Sequence, residues 1–243
     1  MTGLVKNDPY LRVKKLFDGK KFEDIIIYCQ KLLEKDPKDK FALQNLSTAY
    51  NMIGAYNDAL IHSDAVLELD FTDEFALKNK MFAYEKLENH EEVIKCCKLI
   101  LEKNNGDIDT LITKGISFNK TGKHEDAVST YKLVLSIDRK NLDALMNLAI
   151  TYNHLEKYQD AITYYDKIQE LTTKFSNIPI DKSKAFEALG KTDDAFLAAQ
   201  GIKIDEAENI KNDAKIKNYS VQHAFELKRF HMSSRVKDND TNR

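Results

Sequence analysis

Shifting the sequence along itself in steps of 34 residues places apolar positions on apolar positions over most of its length. The clearest copy runs from Lys40 to Asp73. Within it Leu43, Leu46, Ala49 and Tyr50 fall on one face of a first helix, and Ala59, Ser63 and Val66 on one face of a second. Gly54 punctuates between them. One such pair buries too little apolar surface to offset its ordering entropy, so the pattern predicts helix pairs stacked into a continuous core.

The period yields six copies without insertion, at residues 6–39, 40–73, 74–107, 108–141, 142–175 and 176–209. The first departs from the pattern, with Pro9 and Arg12 at the anchor positions of its first helix. Its second half conforms through Phe22, Ile25, Cys29 and Leu32 before Pro37 ends it. The third carries Lys80 where the second has Leu46. The fourth and fifth match strongly through Leu111, Gly115, Phe118, Ala127 and Tyr131, and through Leu145, Leu148, Ala149, Tyr152, Ala161 and Tyr165. The sixth stays in register through Ser183, Phe186, Gly190, Ala195 and Ile202, with Pro179 delaying its first helix.

This succession of Leu, small residue, Tyr, Gly, Tyr and Ala at a 34-residue period resembles the tetratricopeptide repeat (TPR) over roughly residues 6 to 209. The resemblance implies an all-α, right-handed α-solenoid of helix-turn-helix pairs, in which first helices line a concave groove. Beyond residue 209 the repeat stops. Residues 210–232 are expected to form one C-terminal helix with two apolar sides, and 233–243 a disordered tail. Ile210, Ala214, Val221, Ala224, Phe225 and Met232 form the side expected to cap the array. Ile216, Tyr219, Leu227 and Phe230 form the other, a candidate surface for self-association as a homodimer.

Composition removes several classes of function. With 37 basic and 39 acidic side chains the formal charge is −2, which gives no overall attraction to nucleic acid or to an anionic membrane. No apolar run reaches the roughly 18 residues of a membrane span, and the first residues lack the apolar core of a signal peptide, so a cytoplasmic location is expected. Cys29, Cys96 and Cys97 are odd in number and read as small core residues rather than a disulfide framework. No metal site or cofactor is expected. Gly190-Lys191-Thr192 lacks the earlier glycine of a phosphate loop, and His90 and His124 occupy slots that hold packing aromatics in other copies. No nucleophile with its base and no spaced carboxylate pair emerges, so a non-enzyme is expected.

What remains is the groove the resemblance implies. Asn45, Asn79, Thr113 and Asn147 share one slot of the first helices, and Asn51, Glu85, Asn119 and Asn153 another; carboxamides at such places suit the backbone of a bound peptide. Phe41, Phe75, Phe82, Ile112, Ile116, Met146 and Ile150 form an apolar floor between them, with Gln44 and Thr48 alongside. Lys78 and Asn79 are similar to part of the carboxylate clamp of chaperone-binding TPR domains. Asp109 and Asp143 stand where further cations would be needed, so that clamp is absent. The expected function is a scaffold that binds a partly apolar peptide or helix. The alternatives are self-assembly through the C-terminal helix, or an adaptor that recruits substrate to a separate enzyme.

Overall fold

The computed structural model describes residues 8–172 and 178–229. Among the described residues it is all-α, with 14 helices and no strand. The chain divides into two compact units, Met1–Thr130 and Tyr131–Arg243. The first contains α1 (Pro9–Asp18), α2 (Phe22–Leu33), α3 (Lys40–Met52), α4 (Tyr56–Leu69), α5 (Glu74–Lys86), α6 (His90–Lys103) and α7 (Ile108–Lys120). The unit boundary falls within α8 (His124–Ile137). The second contains α9 (Leu142–His154), α10 (Tyr158–Leu171), α11 (Ile178–Ala188), α12 (Thr192–Ala199), α13 (Ile204–Lys217) and α14 (221–229).

The same local chemistry starts α3, α5, α7 and α9. Asp39, Asp73, Asp107 and Asn141 are 34 residues apart, and each side chain accepts the N–H of the third residue on, at Ala42, Ala76, Thr110 and Ala144. At α1 the cap is Asp8, with Pro9 in the first turn. The turn inside each pair is equally regular. Lys20, Gly54, Glu88, Gly122, Glu156 and Gly190 all have φ between 54° and 80°. The next N–H reaches back across the turn, as from Ala55 to the Tyr50 carbonyl (2.9 Å) and from Lys157 to that of Tyr152 (2.9 Å).

In the first unit each helix packs on the next from α1 to α7, and α3 also meets α5. Val13, Ile25, Cys29, Leu46 and Ala49 form its initial core. Arg12, at an anchor position of the pattern, lies 4.3 Å above the Tyr28 ring, so its charge stays at the edge while its stem covers apolar surface. Small side chains permit close helix approach between Ser47 and Ser63, whose hydroxyls share a buried 2.6 Å hydrogen bond. The matching slots one repeat later hold Met81 and Cys97, with their sulfurs 3.4 Å apart. Burial pushes the Cys29 and Cys97 thiols up to about 12 and Cys96 to about 11, as suits core residues.

In the second unit α9, α10, α11 and α12 pack in succession. Lys182 of α11 is only 2% exposed; it pairs with Asp166 of α10 and donates to Gln169 Oε1 at 3.2 Å. Two features differ from the sequence reading. The second helix of the sixth copy ends at Ala199, and Gly201 (φ 75°) turns the chain, so Ile202 lies in a connection rather than a helix. The helix anticipated over 210–232 is two: α13 ends at Lys217, capped by Asn218 in the left-handed conformation, and α14 begins at 221. Asn tolerates that backbone because its short amide can bond locally. Glu206 at the start of α13 pairs with Lys228 in α14 (3.1 Å), so α14 runs back along α13. The expected capping side survives this break: Ile210, Ala214, Val221 and Ala224 pack with Leu197 of α12, and Phe225 lies against them. Residues 230–243, with Phe230, Met232 and the anticipated tail, lie outside the described residues.

Candidate peptide-binding face

The first helices of the first unit carry the predicted floor. Phe75, Phe82 and Ile116 are exposed, and Phe41 and Ile112 are half-buried. Phe82 meets Tyr56 edge-on at 6.4 Å and has Lys86 5.1 Å from its ring centroid, which fixes the ring while leaving it in contact with water. In the second unit α9 presents exposed Ile150 and half-buried Met146.

The floor opens into two clefts within the first unit. One lies between α5 and α7 and has Glu85, Glu88, His90, Ile116 and Lys120 among its walls. The other, about 330 Å³, lies between α1, α3 and α5. Phe41, Asn45, Thr48 and Phe75 were anticipated there; Tyr10, Val13, Lys14 and Phe17 of α1 were not. Their spacing of three, four and seven residues was the signal available, masked by Pro9 and Arg12 in the anchor positions.

The asparagines are less free than the row suggested. Asn79 donates to Thr48 Oγ1 (3.1 Å), and Asn51 Nδ2 donates to the Asn79 carbonyl (3.0 Å) and to its Oδ1 (3.3 Å). These bonds tie α3 to α5, and Asn51 is 4% exposed. Asn45 and Asn147 turn their amides back to the carbonyls of Phe41 (2.7 Å) and Asp143 (2.8 Å), and Thr113 bonds the Asp109 carbonyl (3.0 Å). Asn119 pairs with His124 Nδ1 (3.1 Å), and Asn153 donates to the Tyr165 hydroxyl (2.9 Å). Most of these amide donors therefore hold helices rather than stand ready for a ligand, although the Oδ1 of Asn45 is left as an acceptor.

Charges at the edge of this face are also paired internally. Lys40 bridges Asp70 (3.1 Å) and Asp73 (2.7 Å), and Gln44 donates to Asp73 (3.0 Å). Lys78 bridges Glu74 (2.7 Å) and Asp107 (3.3 Å). The hydrogen bonds from Lys40 and Thr72 draw Asp70 down to about 2. Burial alone would push Asp73 and Asp107 up. Bonds from Lys40, the Ala76 N–H and Gln44 outweigh it at Asp73, as do those from Thr110 and Lys78 at Asp107, so both sit below the ordinary range. Lys78 therefore neutralises a helix cap.

At the far end Ile216 is 81% exposed, Tyr219 is exposed with His223 edge-on at 4.8 Å, and Leu227 is half-buried. Among the described residues no cluster of His, Cys, Asp or Glu is arranged to hold a metal ion. No described helix is long and apolar enough to cross a membrane.

Helix pairs with one fixed turn, one fixed cap and a 34-residue period define a repeat protein of stacked helical hairpins. The family model for the tetratricopeptide repeat matches residues 108–141 and 142–175. Residues 108–175 therefore carry two tetratricopeptide repeats, and the helices described fit about six or seven repeats of the same fold. Solved structures share the fold. A tetratricopeptide repeat protein from Parabacteroides merdae superposes with a TM-score of 0.67 at 16% identity, covering 78% of this chain and 75% of that one. MamA gives 0.61 at 23% identity over 65% and 92%. YrrB, described as a TPR protein with an unusual peptide-binding site, gives 0.61 at 15% identity over 82% and 97%. No curated protein matches the sequence.

Proposed function

We propose that this protein is a non-catalytic, cytoplasmic interaction scaffold whose first-helix face in the first unit binds a partly apolar peptide or helix. The observation that carries this reading is the exposed row Phe75, Phe82 and Ile116. Large apolar side chains held in contact with water on one face mark a surface that another molecule covers. Tetratricopeptide-repeat proteins as a class bind protein or peptide partners, and YrrB is described as having a peptide site. Aromatic and aliphatic anchors supply the affinity. The asparagines serve chiefly to fix the helices that carry those anchors.

Partner capture with the intact chain as bait, compared with a Phe82→Ser, Ile116→Ser variant, tests the reading. Both positions are exposed, so the thermal melt should stay within a few degrees. Partners that depend on this face should be lost, and unchanged capture would refute the proposal. A second reading, self-association, is favoured by the exposure of Ile216 and Tyr219. Light scattering on the intact chain and on an Ile216→Ser, Tyr219→Ser variant decides it: a monomeric mass at every concentration for the intact chain rejects it.

A further inference from the structure

The cleft between α1, α3 and α5 differs from the cleft between α5 and α7 in being lined by aromatic rings from each of its three helices. Tyr10 is 64% exposed with its ring 6.4 Å from that of Phe41, and Phe75 is 49% exposed. Rings this exposed, converging on one cavity of about 330 Å³, have apolar area still to bury. That volume lies at the small end for a ligand pocket, which suits one or two large side chains rather than a cofactor.

Charge then narrows the occupant. Among the residues that line the cleft, Lys14 alone is charged, whereas the cleft between α5 and α7 sets Glu85 and Glu88 against Lys120. An ammonium at the rim of an aromatic pocket favours an anion beside the apolar group that fills it. Asn45 gives its amide to the Phe41 carbonyl and keeps Oδ1, which can accept a backbone N–H. We infer that this cleft is the anchor pocket for a partner segment bearing a large aliphatic or aromatic side chain with an Asp or Glu within one helical turn of it. The inference rests on the proposed peptide-binding role of the first-helix face, and extends it to α1.

Selection of a random-peptide display library on the intact chain tests this, followed by affinity measurement with the enriched peptides made synthetically. Enriched sequences should combine an apolar anchor with a nearby acid. Phe75→Ser should weaken their binding by about tenfold or more, and Lys14→Glu should replace the acidic preference with a basic one. Melts of both variants should match the parent, since both side chains are exposed. Peptides that bind Lys14→Glu and Phe75→Ser undiminished, yet fail on Phe82→Ser, Ile116→Ser, would overturn the anchor pocket and leave the broader face intact. Enrichment of no peptide sensitive to any of these variants would overturn both.

Discussion

At the scale of single residues, the turn inside each helix pair is the most exacting position. Six residues spaced by 34 adopt positive φ, yet only Gly54, Gly122 and Gly190 do so without a Cβ penalty. Glu88 has φ 56° and an exposed side chain, so it retains the strain of a left-handed L-residue. Glu88→Gly relieves that strain, and the greater freedom of glycine in the unfolded chain offsets part of the gain. The expected net is a stabilisation of about 0.5–1 kcal/mol, read as a higher denaturation midpoint at unchanged slope. Gly54→Ala should shift the midpoint the other way by a similar amount. Destabilisation by Glu88→Gly would mean that this turn is not what limits the pair.

At the scale of helix pairs, one contact recurs in two environments. Lys80 of α5 pairs with Asp64 of α4, and 102 residues later Lys182 of α11 pairs with Asp166 of α10. The register is the same but the burial is not: the Asp64 side chain is half-exposed, whereas Lys182 is enclosed. Removing Asp166 leaves an enclosed ammonium with the Gln169 amide oxygen and the Phe186 ring in place of a counter-charge, so Asp166→Ala should cost about 3 kcal/mol. Lys182→Met keeps the stem volume, and Asp166 retains access to water, so the loss should stay near 1 kcal/mol. Asp64→Ala, at the open site, should cost about 1 kcal/mol or less. Urea denaturation of the three variants gives the ranking; equal effects of Asp64→Ala and Asp166→Ala would show that burial does not govern these pairs.

At the scale of the whole molecule, repeat proteins are stabilised by contacts between neighbours, and here those contacts carry charge in the first unit. Asp70, Asp73 and Asp107 titrate below their ordinary range when folded. The unfolded chain therefore takes up protons first as pH falls. The stability these groups contribute is fully present above about pH 4 and is lost towards pH 2. Melting temperatures recorded across that window should fall steeply in the parent and less steeply in Lys40→Met, which lacks the cation that lowers Asp70 and Asp73. Parallel curves would remove the Lys40 cluster as a source of the acid sensitivity.

The fold was legible because its determinants are local and repeated. A 34-residue period of Leu, small residue, aromatic and glycine fixes helix pairs through side-chain spacing and turn geometry alone, and the exposed Phe75, Phe82 and Ile116 followed from being left over. The asparagines misled because an amide reads the same whether it meets a ligand or another helix. Only the packing of α3 on α5 decided that Asn51 and Asn79 bond each other. The C-terminal break was equally hidden, since the apolar spacing of Ile210, Ala214, Val221 and Ala224 is satisfied by one helix or by two that fold back. The sequence by itself determined the repeating unit, a matter of neighbours along the chain. Which polar groups are already bonded to another helix, and that α1 joins the aromatic cleft, follow only from tertiary packing, because hydrogen-bond partners and cleft walls come from residues far apart in sequence.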